Sequence, residues 1–192
     1  MMDLAGVVGA SALVGAVASV VGAIFLGLFF SKGQLWGTLN DVASIVLMAA
    51  MLPVALGIAV IQSASFPVSA AVAVVGFTGM IGAGLAQAVL VARWRTYEQL
   101  LPWTLGFGGV VGLWYIGAGA LGLPMPDGDV LSGLAIASGI GYLAVGYGFW
   151  RGNQRHPASV VGGLLLLVAS TSFLVWLGLK LVTADVTIAW PA

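Results

Sequence analysis

The stretch LAGVVGASALVGAVASVVGAIFLGLFF, residues 4–30, decides the fold class of this chain. It runs for 27 residues without one charged side chain. As an α-helix rising about 1.5 Å per residue it spans ~40 Å, more than the ~30 Å of hydrocarbon in a bilayer. In lipid, the backbone N–H groups of such a segment must find partners within the segment itself. Residues 4–30 are therefore predicted to form a membrane-spanning helix.

Further apolar stretches of similar length follow the first one. They cover residues 39–61, 67–92, 103–123, 130–150 and 158–182. Each approaches or exceeds the ~20 residues that a transmembrane helix needs, and the connections between them are too short for a second domain. The sequence predicts one all-α domain over residues 1–192, a polytopic membrane bundle of six transmembrane helices.

The composition excludes several classes of protein. Hydrophobic residues make up 61% of the chain and charged residues 6%, against about 25% charged in a soluble domain. This composition excludes a soluble globular enzyme. With no Cys and one His, disulfides, thiolate metal sites and bis-histidine haem are excluded within one chain, so no cofactor is expected. Zero net charge without a basic run argues against nucleic acid as a partner.

Charge placement predicts the orientation of the bundle. The first, third and fifth connections carry the basic residues Lys32, Arg93, Arg95, Arg151 and Arg155. The opposite side holds Lys180. Basic connections are retained in the cytoplasm, so both termini are predicted to be extracytoplasmic. The four arginines are expected to contact anionic lipid headgroups.

Small residues recur at every fourth position of the first predicted helix. They are Ser11, Gly15, Ser19, Ala23 and Gly27. Small residues let membrane helices approach closely. This ridge either packs tightly inside the bundle or stays free for another subunit, so other membrane-protein subunits or a second copy of the chain are expected partners beside lipid.

Polar side chains are rare in the middle of the predicted spans. They are Thr78, Gln87, Tyr115, Tyr142, Ser170, Thr171 and Ser172. Several lie at similar depths by residue count and are candidates to line a polar pocket near the bilayer centre. In the alternative interpretation, the hydroxyls bond to their own helix or to a neighbouring helix, and Gln87 makes a buried hydrogen bond between helices.

The segment Thr38-Leu-Asn40-Asp41 precedes the second predicted helix. Its spacing matches the S/T-x-x-D/E capping pattern, which predicts that Thr38 caps the helix. In a second interpretation, Thr38, Asn40 and Asp41 form an ion site, because intramembrane acids usually have a function. Pro53, in the middle of the same helix, predicts a kink.

Two short matches suggest an internal repeat. GVVG occurs at residues 6–9 and 109–112, and Pro-x-Ser occurs at 67–69 and 157–159. These positions open the first and fourth helices and the third and sixth helices, respectively. A real repeat relates two inverted halves of three helices, as in many transporters.

Residues 138–142, Ser-Gly-Ile-Gly-Tyr, resemble the serine-bearing helix of rhomboid intramembrane proteases. A serine nucleophile needs a base within hydrogen-bond reach. The single histidine, His156, lies 18 residues further along the chain, about 27 Å if helical. Rhomboid activity is therefore not expected.

The overall layout, with an Asn-Asp pair opening the second helix and a proline in its middle, resembles uncharacterised bacterial six-helix integral membrane proteins. The similarity includes LPMPDGDVLSGLAIASGIGYLAVGY at residues 123–147, where a short proline-containing turn leads into a glycine-rich span. The resemblance implies a six-helix fold in a bacterial plasma membrane, and it brings no catalytic signature.

Two functional hypotheses from different classes remain at this stage. The first is a non-catalytic membrane protein, a structural or accessory subunit or a lipid-facing binding component. The second is a small transporter or channel that uses the Pro53 kink and the mid-membrane polar groups. An intramembrane enzyme is expected least, because the sequence offers no nucleophile–base pair or metal ligand set.

Overall fold

The computed structural model describes residues 4–125, 127–152 and 155–183. Within these residues, six long helices form, each long and apolar enough to cross a membrane. They are α1 (Leu4–Lys32), α2 (Gln34–Ile61), α3 (Phe66–Val91), α4 (Tyr97–Ala120), α5 (Gly128–Arg151) and α6 (Pro157–Thr183), with a short 3₁₀ helix (Ser63–Ser65) before α3. The predicted all-α architecture of six candidate membrane spans is confirmed.

Helix α2 begins earlier than the sequence indicated, at Gln34 rather than residue 39. Thr38 therefore lies in the second turn, where its hydroxyl donates to the Gln34 carbonyl oxygen at 3.4 Å. The prediction that Thr38 caps α2 is wrong, because the helix has already started. The preceding residue is Gly33, whose φ of 94° favours glycine.

Helix α4 also begins earlier, at Tyr97 rather than residue 103. Its start carries a capping box of the related S/T-x-x-E/Q form, from Thr96 to Gln99. The Thr96 backbone N–H donates to Gln99 Oε1 at 3.2 Å, in the reciprocal arrangement of a capping box. This arrangement extends α4 by a turn and a half beyond its apolar stretch.

The helices α1 to α6 pack as a closed ring in chain order. Each packs against its neighbours in sequence, and α6 closes the ring against α1. In an inverted repeat, a two-fold axis in the membrane plane relates the two halves. Viewed along the membrane normal, this axis turns a clockwise order of helices in one half into an anticlockwise order in the other. Here the last three helices continue around the ring in the same direction as the first three. The helix order therefore does not support the inverted repeat.

Large side chains fill the centre of the ring. Trp114 and Tyr115 on α4, Met51 on α2 and Phe173 on α6 are all fully buried. The Tyr115 ring centroid lies 4.6 Å from that of Trp114 and 5.7 Å from that of Phe173, in tilted and edge-on arrangements that favour aromatic pairs. Helix α2 runs without interruption through Pro53 beside this central cluster.

Glycines bring several helix backbones into direct contact. A Cβ added at Gly139 on α5 would overlap the carbonyl oxygen of Gly112 on α4. A Cβ at Gly162 on α6 would lie 2.9 Å from the carbonyl oxygen of Gly141 on α5. Such contacts replace the hydrophobic drive that is missing between helices in lipid.

Candidate functional site

The Tyr115 hydroxyl lies at the centre of the ring and contacts two other helices. It is 3.1 Å from Ser170 Oγ on α6. It also donates to Met51 Sδ on α2 at 3.8 Å. Tyr142 on α5 stacks on Tyr115 with a centroid distance of 6.0 Å. The structure thus brings Tyr115, Tyr142 and Ser170, three of the predicted polar residues, to one place.

The other predicted polar residues lie elsewhere. Thr171 Oγ1 is 3.1 Å from Ser19 Oγ on α1, which links α6 to the small-residue ridge. Thr78 is exposed and donates to the Val74 carbonyl oxygen of its own helix at 2.9 Å. Ser172 lies on the wall of an outer groove described below. The seven residues do not form one pocket.

Gln87 on α3 keeps a buried side-chain oxygen, Oε1, with no hydrogen-bond partner among the described residues. Thr104 Oγ1 on α4 is in the same condition. The hydrogen bond between helices that was predicted for Gln87 is not formed by its oxygen within the described part of the chain. Sequence reasoning had not singled out Thr104.

The small-residue ridge on α1 faces a neighbouring helix for much of its length. A Cβ at Gly15 would lie 3.3 Å from Leu174 Cδ1 on α6 and 3.5 Å from Leu47 Cδ1 on α2. Ser19 bonds to Thr171, as described. A Cβ at Gly27, at the far end of the ridge, would meet no described atom within 4 Å. The ridge is therefore packed inside the bundle at Gly15 and Ser19 and open at Gly27.

A groove of about 510 Å³ lies between α1 and α6 on the outer surface. We call it the α1–α6 groove. Its lining residues are Val20, Ala23, Ile24, Leu167, Val168, Thr171 and Ser172. It is mostly aliphatic, with two hydroxyl groups on the α6 wall.

A second groove, of about 420 Å³, lies between α4 and α5. We call it the α4–α5 groove. Its lining residues are Pro102, Leu105, Gly106, Gly109, Tyr142, Leu143, Gly146, Tyr147 and Trp150. The Trp150 and Tyr147 side chains are 77% and 50% exposed, so the groove has an aromatic rim at one end.

Glycines that no helix contact requires accompany both grooves. Gly106 and Gly146 line the α4–α5 groove, and a Cβ at either would meet no neighbouring atom of the described chain within 4 Å. The same holds for Gly27 and Gly163, which lie about one helical turn from lining residues of the α1–α6 groove. Gly106 and Gly146 therefore leave the α4–α5 groove wide rather than bringing helices together.

The helix ends that meet at the first, third and fifth connections form what we call the basic end of the bundle. Lys32, Arg93, Arg95, Arg151 and Arg155 are all exposed there. The residues Asp41 and Glu98 are the acids near this end. The α4–α5 groove lies in the half of the bundle nearer the basic end, because Trp150 is next to the end of α5. The α1–α6 groove lies nearer mid-height, because its α6 wall is at the middle of that helix.

Asp41 is half-buried near the basic end. Its carboxylate hydrogen-bonds the Asn40 side chain, and Tyr97 at the start of α4 lies within its electrostatic reach. The Thr38 hydroxyl donates to the Gln34 carbonyl oxygen instead of to Asn40 or Asp41, and the ion site stays a prediction. Among the described residues, no group of three or more His, Cys, Asp and Glu side chains could hold a metal ion.

Two polar contacts at the opposite end, which we call the acidic end, were missed by the sequence analysis. Lys180 Nζ on α6 donates to Asp127 Oδ2 at 2.6 Å. The Gln62 amide, just after α2, donates to the carbonyl oxygens of Ala118 and Gly122 at 2.7 Å each. A lone amide at the end of a span was the available signal for Gln62. The Lys180–Asp127 pair joins residues far apart in sequence and had no local signal.

Comparison of the chain with protein-family models, curated proteins and solved structures gives no match in any of the three.

Proposed function

We propose that this protein is a non-catalytic integral membrane protein that works through its lipid-facing surface, as a structural or accessory component of a membrane assembly. One observation carries the proposal. The centre of the ring is filled by the packed side chains of Met51, Trp114, Tyr115 and Phe173, whereas the two grooves open outward.

The polar contacts inside the bundle support a structural role. The Tyr115–Ser170 contact ties α4 to α6, and the Ser19–Thr171 contact ties α1 to α6. Each hydroxyl is thus used to hold helices together. Hydrogen bonds between membrane helices stabilise packing by about 0.6 kcal/mol on average. They leave these hydroxyls less free to bind a transported solute.

The proposed setting is a bacterial plasma membrane with the basic end in the cytoplasm. The excess of basic residues at that end supports this orientation through the positive-inside rule. A single cysteine introduced beside Lys32 or beside Lys180 can test it in intact cells with a membrane-impermeant thiol reagent. We expect labelling beside Lys180 alone. Labelling beside Lys32 alone would reverse the orientation.

The main experiment is an ion-flux measurement on the purified chain in sealed liposomes. We expect the wild type to release protons, Na⁺ or K⁺ no faster than protein-free liposomes do. The variant Tyr115→Ala is the matched comparison. It removes the aromatic side chain at the centre of the bundle and tests whether that side chain closes the centre to ions. Specific, saturable ion flux through the wild type would overturn the proposal.

A small transporter or channel is the second candidate, and a specific arrangement favours it. Asp41, Gln87 and Thr104 each lie seven residues, or two helical turns, from a buried residue of the same helix: Met48, Met80 and Val111 respectively. They therefore lie on core-facing lines of the adjacent helices α2, α3 and α4, towards the basic end. The oxygen-rich set suits a proton or a hard cation.

The two candidates are separated by one substitution in the same liposomes. A transporter that uses this set should lose its flux when Asp41 is changed to Asn, with Glu98→Gln as the control because Glu98 is exposed at the same end. Flux that Asp41→Asn abolishes supports the transporter. Absence of flux in both the wild type and the variant supports the lipid-facing component.

A further inference from the structure

We propose that the α4–α5 groove binds one anionic phospholipid from the leaflet at the basic end, with an acyl chain lying along Gly106 and Gly146 and the phosphate beside Arg151. This inference rests on the proposed lipid-facing function and names the ligand class and the site.

The groove opens where α4 and α5 lose their glycine contacts towards the basic end. At Gly112 and Gly139 the two backbones touch, as described above. One turn nearer the basic end, a Cβ at Gly109 would be 3.9 Å from Leu143 Cδ2. At Gly106 it would meet nothing described within 4 Å. On α5, Gly146 lies two helical turns from Gly139 on the same face, and a Cβ there would also meet nothing described within 4 Å. The two helices therefore leave an outward-facing slot between them at this level.

The glycines in the slot are not explained by helix packing. Glycine weakens a helix relative to alanine, and packing explains it where a Cβ would clash, as at Gly139. Gly106 and Gly146 face open space instead. A side chain at either position would fill the slot, so glycine there preserves a space of about 420 Å³, within the ~300–1,000 Å³ range of small-molecule sites.

The rim of the slot consists of aromatic residues suited to the headgroup region. Tyr147 packs edge-on against Trp150 at 6.4 Å and against His156 at 6.0 Å. Trp103, near the start of α4, is also exposed and stacks on Phe107. Amphipathic rings of this kind sit where the hydrocarbon meets the headgroups. This places the open end of the slot at lipid-phosphate depth.

The charges near the rim select an anionic lipid over a zwitterionic one. Arg151 directly follows Trp150, and Arg93 and Arg95 lie on the connection that leads into α4. Glu98 and the half-buried Asp41 are the acids near the start of α4. Three arginines against two carboxylates leave a positive field that attracts lipid of negative charge. The α1–α6 groove has an aliphatic lining and no aromatic rim residue, so the proposal is confined to the α4–α5 groove.

The test is native mass spectrometry of the purified full-length chain. The protein is held in non-ionic detergent micelles that contain equal amounts of palmitoyl-oleoyl phosphatidylglycerol and palmitoyl-oleoyl phosphatidylcholine. We expect one phosphatidylglycerol retained per chain, with at least about a fivefold preference over phosphatidylcholine, the factor for one arginine near an anionic headgroup. Equal retention of the two lipids by the wild type would overturn the proposal.

Three variants assign the binding to this slot. Gly146→Leu and Gly106→Leu should each lower phosphatidylglycerol retention at least about fivefold, because the new side chain occupies the path of the acyl chain. Arg151→Gln should keep chain binding and lose about fivefold in the preference for phosphatidylglycerol. Gly133→Leu is the matched control, since Gly133 is an exposed glycine of the same helix with open space around it, nearer the acidic end.

Retention by Gly146→Leu and Gly106→Leu equal to that of Gly133→Leu would overturn the site. The site would also be overturned if the wild type were a dimer and Gly146→Leu made it dissociate. That result would assign the slot to a second copy of the chain. Since Arg151 is exposed, Arg151→Gln tests the charge argument even if a leucine variant fails to fold. If no lipid is retained and the liposomes show no ion flux, the lipid site is wrong and the proposed function stands. If the protein retains the lipid and also conducts ions specifically, the proposed function is wrong and the lipid site stands.

Discussion

Helix α5 packs against its two neighbours, α4 and α6, in different ways, and glycines of α5 lie at both kinds of contact. Against α6 it stays close as far as the basic end, where a Cβ at Gly148 would overlap Ser159. Against α4 it is close at Gly139 and open at Gly146. The same residue type thus brings backbones together in one place and leaves a slot in another. The position of the neighbouring helix decides which, so glycine content alone does not indicate close packing.

The largest expected effect comes from a pair of substitutions on α5 that isolates this difference. Gly139→Leu should destabilise the bundle by about 3 kcal/mol, the upper part of the usual overpacking range, because the Gly112 backbone cannot move aside easily. Gly146→Leu should change stability by less than about 1 kcal/mol, since its side chain enters open space. Unfolding in mixed micelles by increasing SDS measures both. Equal losses of stability in the two variants would show that a glycine against a neighbouring backbone and a glycine facing open space do not differ.

The same comparison extends to the ridge on α1. Gly15→Leu should cost about 2 kcal/mol, because Leu174 and Leu47 already occupy the neighbouring space. Gly27→Leu should cost less than about 0.5 kcal/mol. Size-exclusion chromatography of both variants, alongside the unfolding curves, reports assembly as well. A loss of oligomer in Gly27→Leu with unchanged stability would show instead that the open end of the ridge binds another subunit.

A smaller effect separates the packed centre from the groove rim. Tyr115→Phe removes the contacts of the hydroxyl with Ser170 and Met51 and should cost about 1 kcal/mol. Tyr147→Phe, on the exposed rim, should leave stability unchanged within about 0.5 kcal/mol. The unfolding assay measures both. If the rim variant proved the more destabilising of the two, the assignment of Tyr115 to the structural centre would fail.

The smallest expected effect concerns the ion pair at the acidic end. Lys180→Gln removes the pair with Asp127 and should cost about 0.5 kcal/mol at low salt, since exposed ion pairs contribute little. The difference from wild type should disappear at about 1 M salt because of screening. Arg151→Gln, at the basic end, is the control and should show no such loss of stability. A salt-independent loss for Lys180→Gln would indicate packing rather than charge.

The helix count was predictable from the sequence, because uncharged stretches such as residues 4–30 are too long for any other element in lipid. The helix starts were less predictable. Thr38 and Thr96 both open a capping pattern, and only the second caps a helix, because α2 begins directly after Gly33. Local spacing does not reveal that α1 and α2 are joined through one residue.

The candidate site was only partly predictable. Tyr115, Tyr142 and Ser170 were recognised as polar residues of similar depth, and the structure brings them together. Thr78 lies at a similar depth but faces outward, because residue count gives depth and not direction. The grooves depend on where neighbouring helices diverge, so the different surroundings of Gly139 and Gly146 could not be read from the sequence.

The Gln62 amide holds the ends of two helices together at the acidic end of the bundle. Its bonds to the Ala118 and Gly122 carbonyl oxygens brace the end of α2 against that of α4, across the intervening helix. Towards the basic end, by contrast, α4 and α5 leave the α4–α5 groove between them. A change in the lateral pressure of the bilayer should therefore alter the separation of α4 and α5 most beside Trp150, at the mouth of that groove.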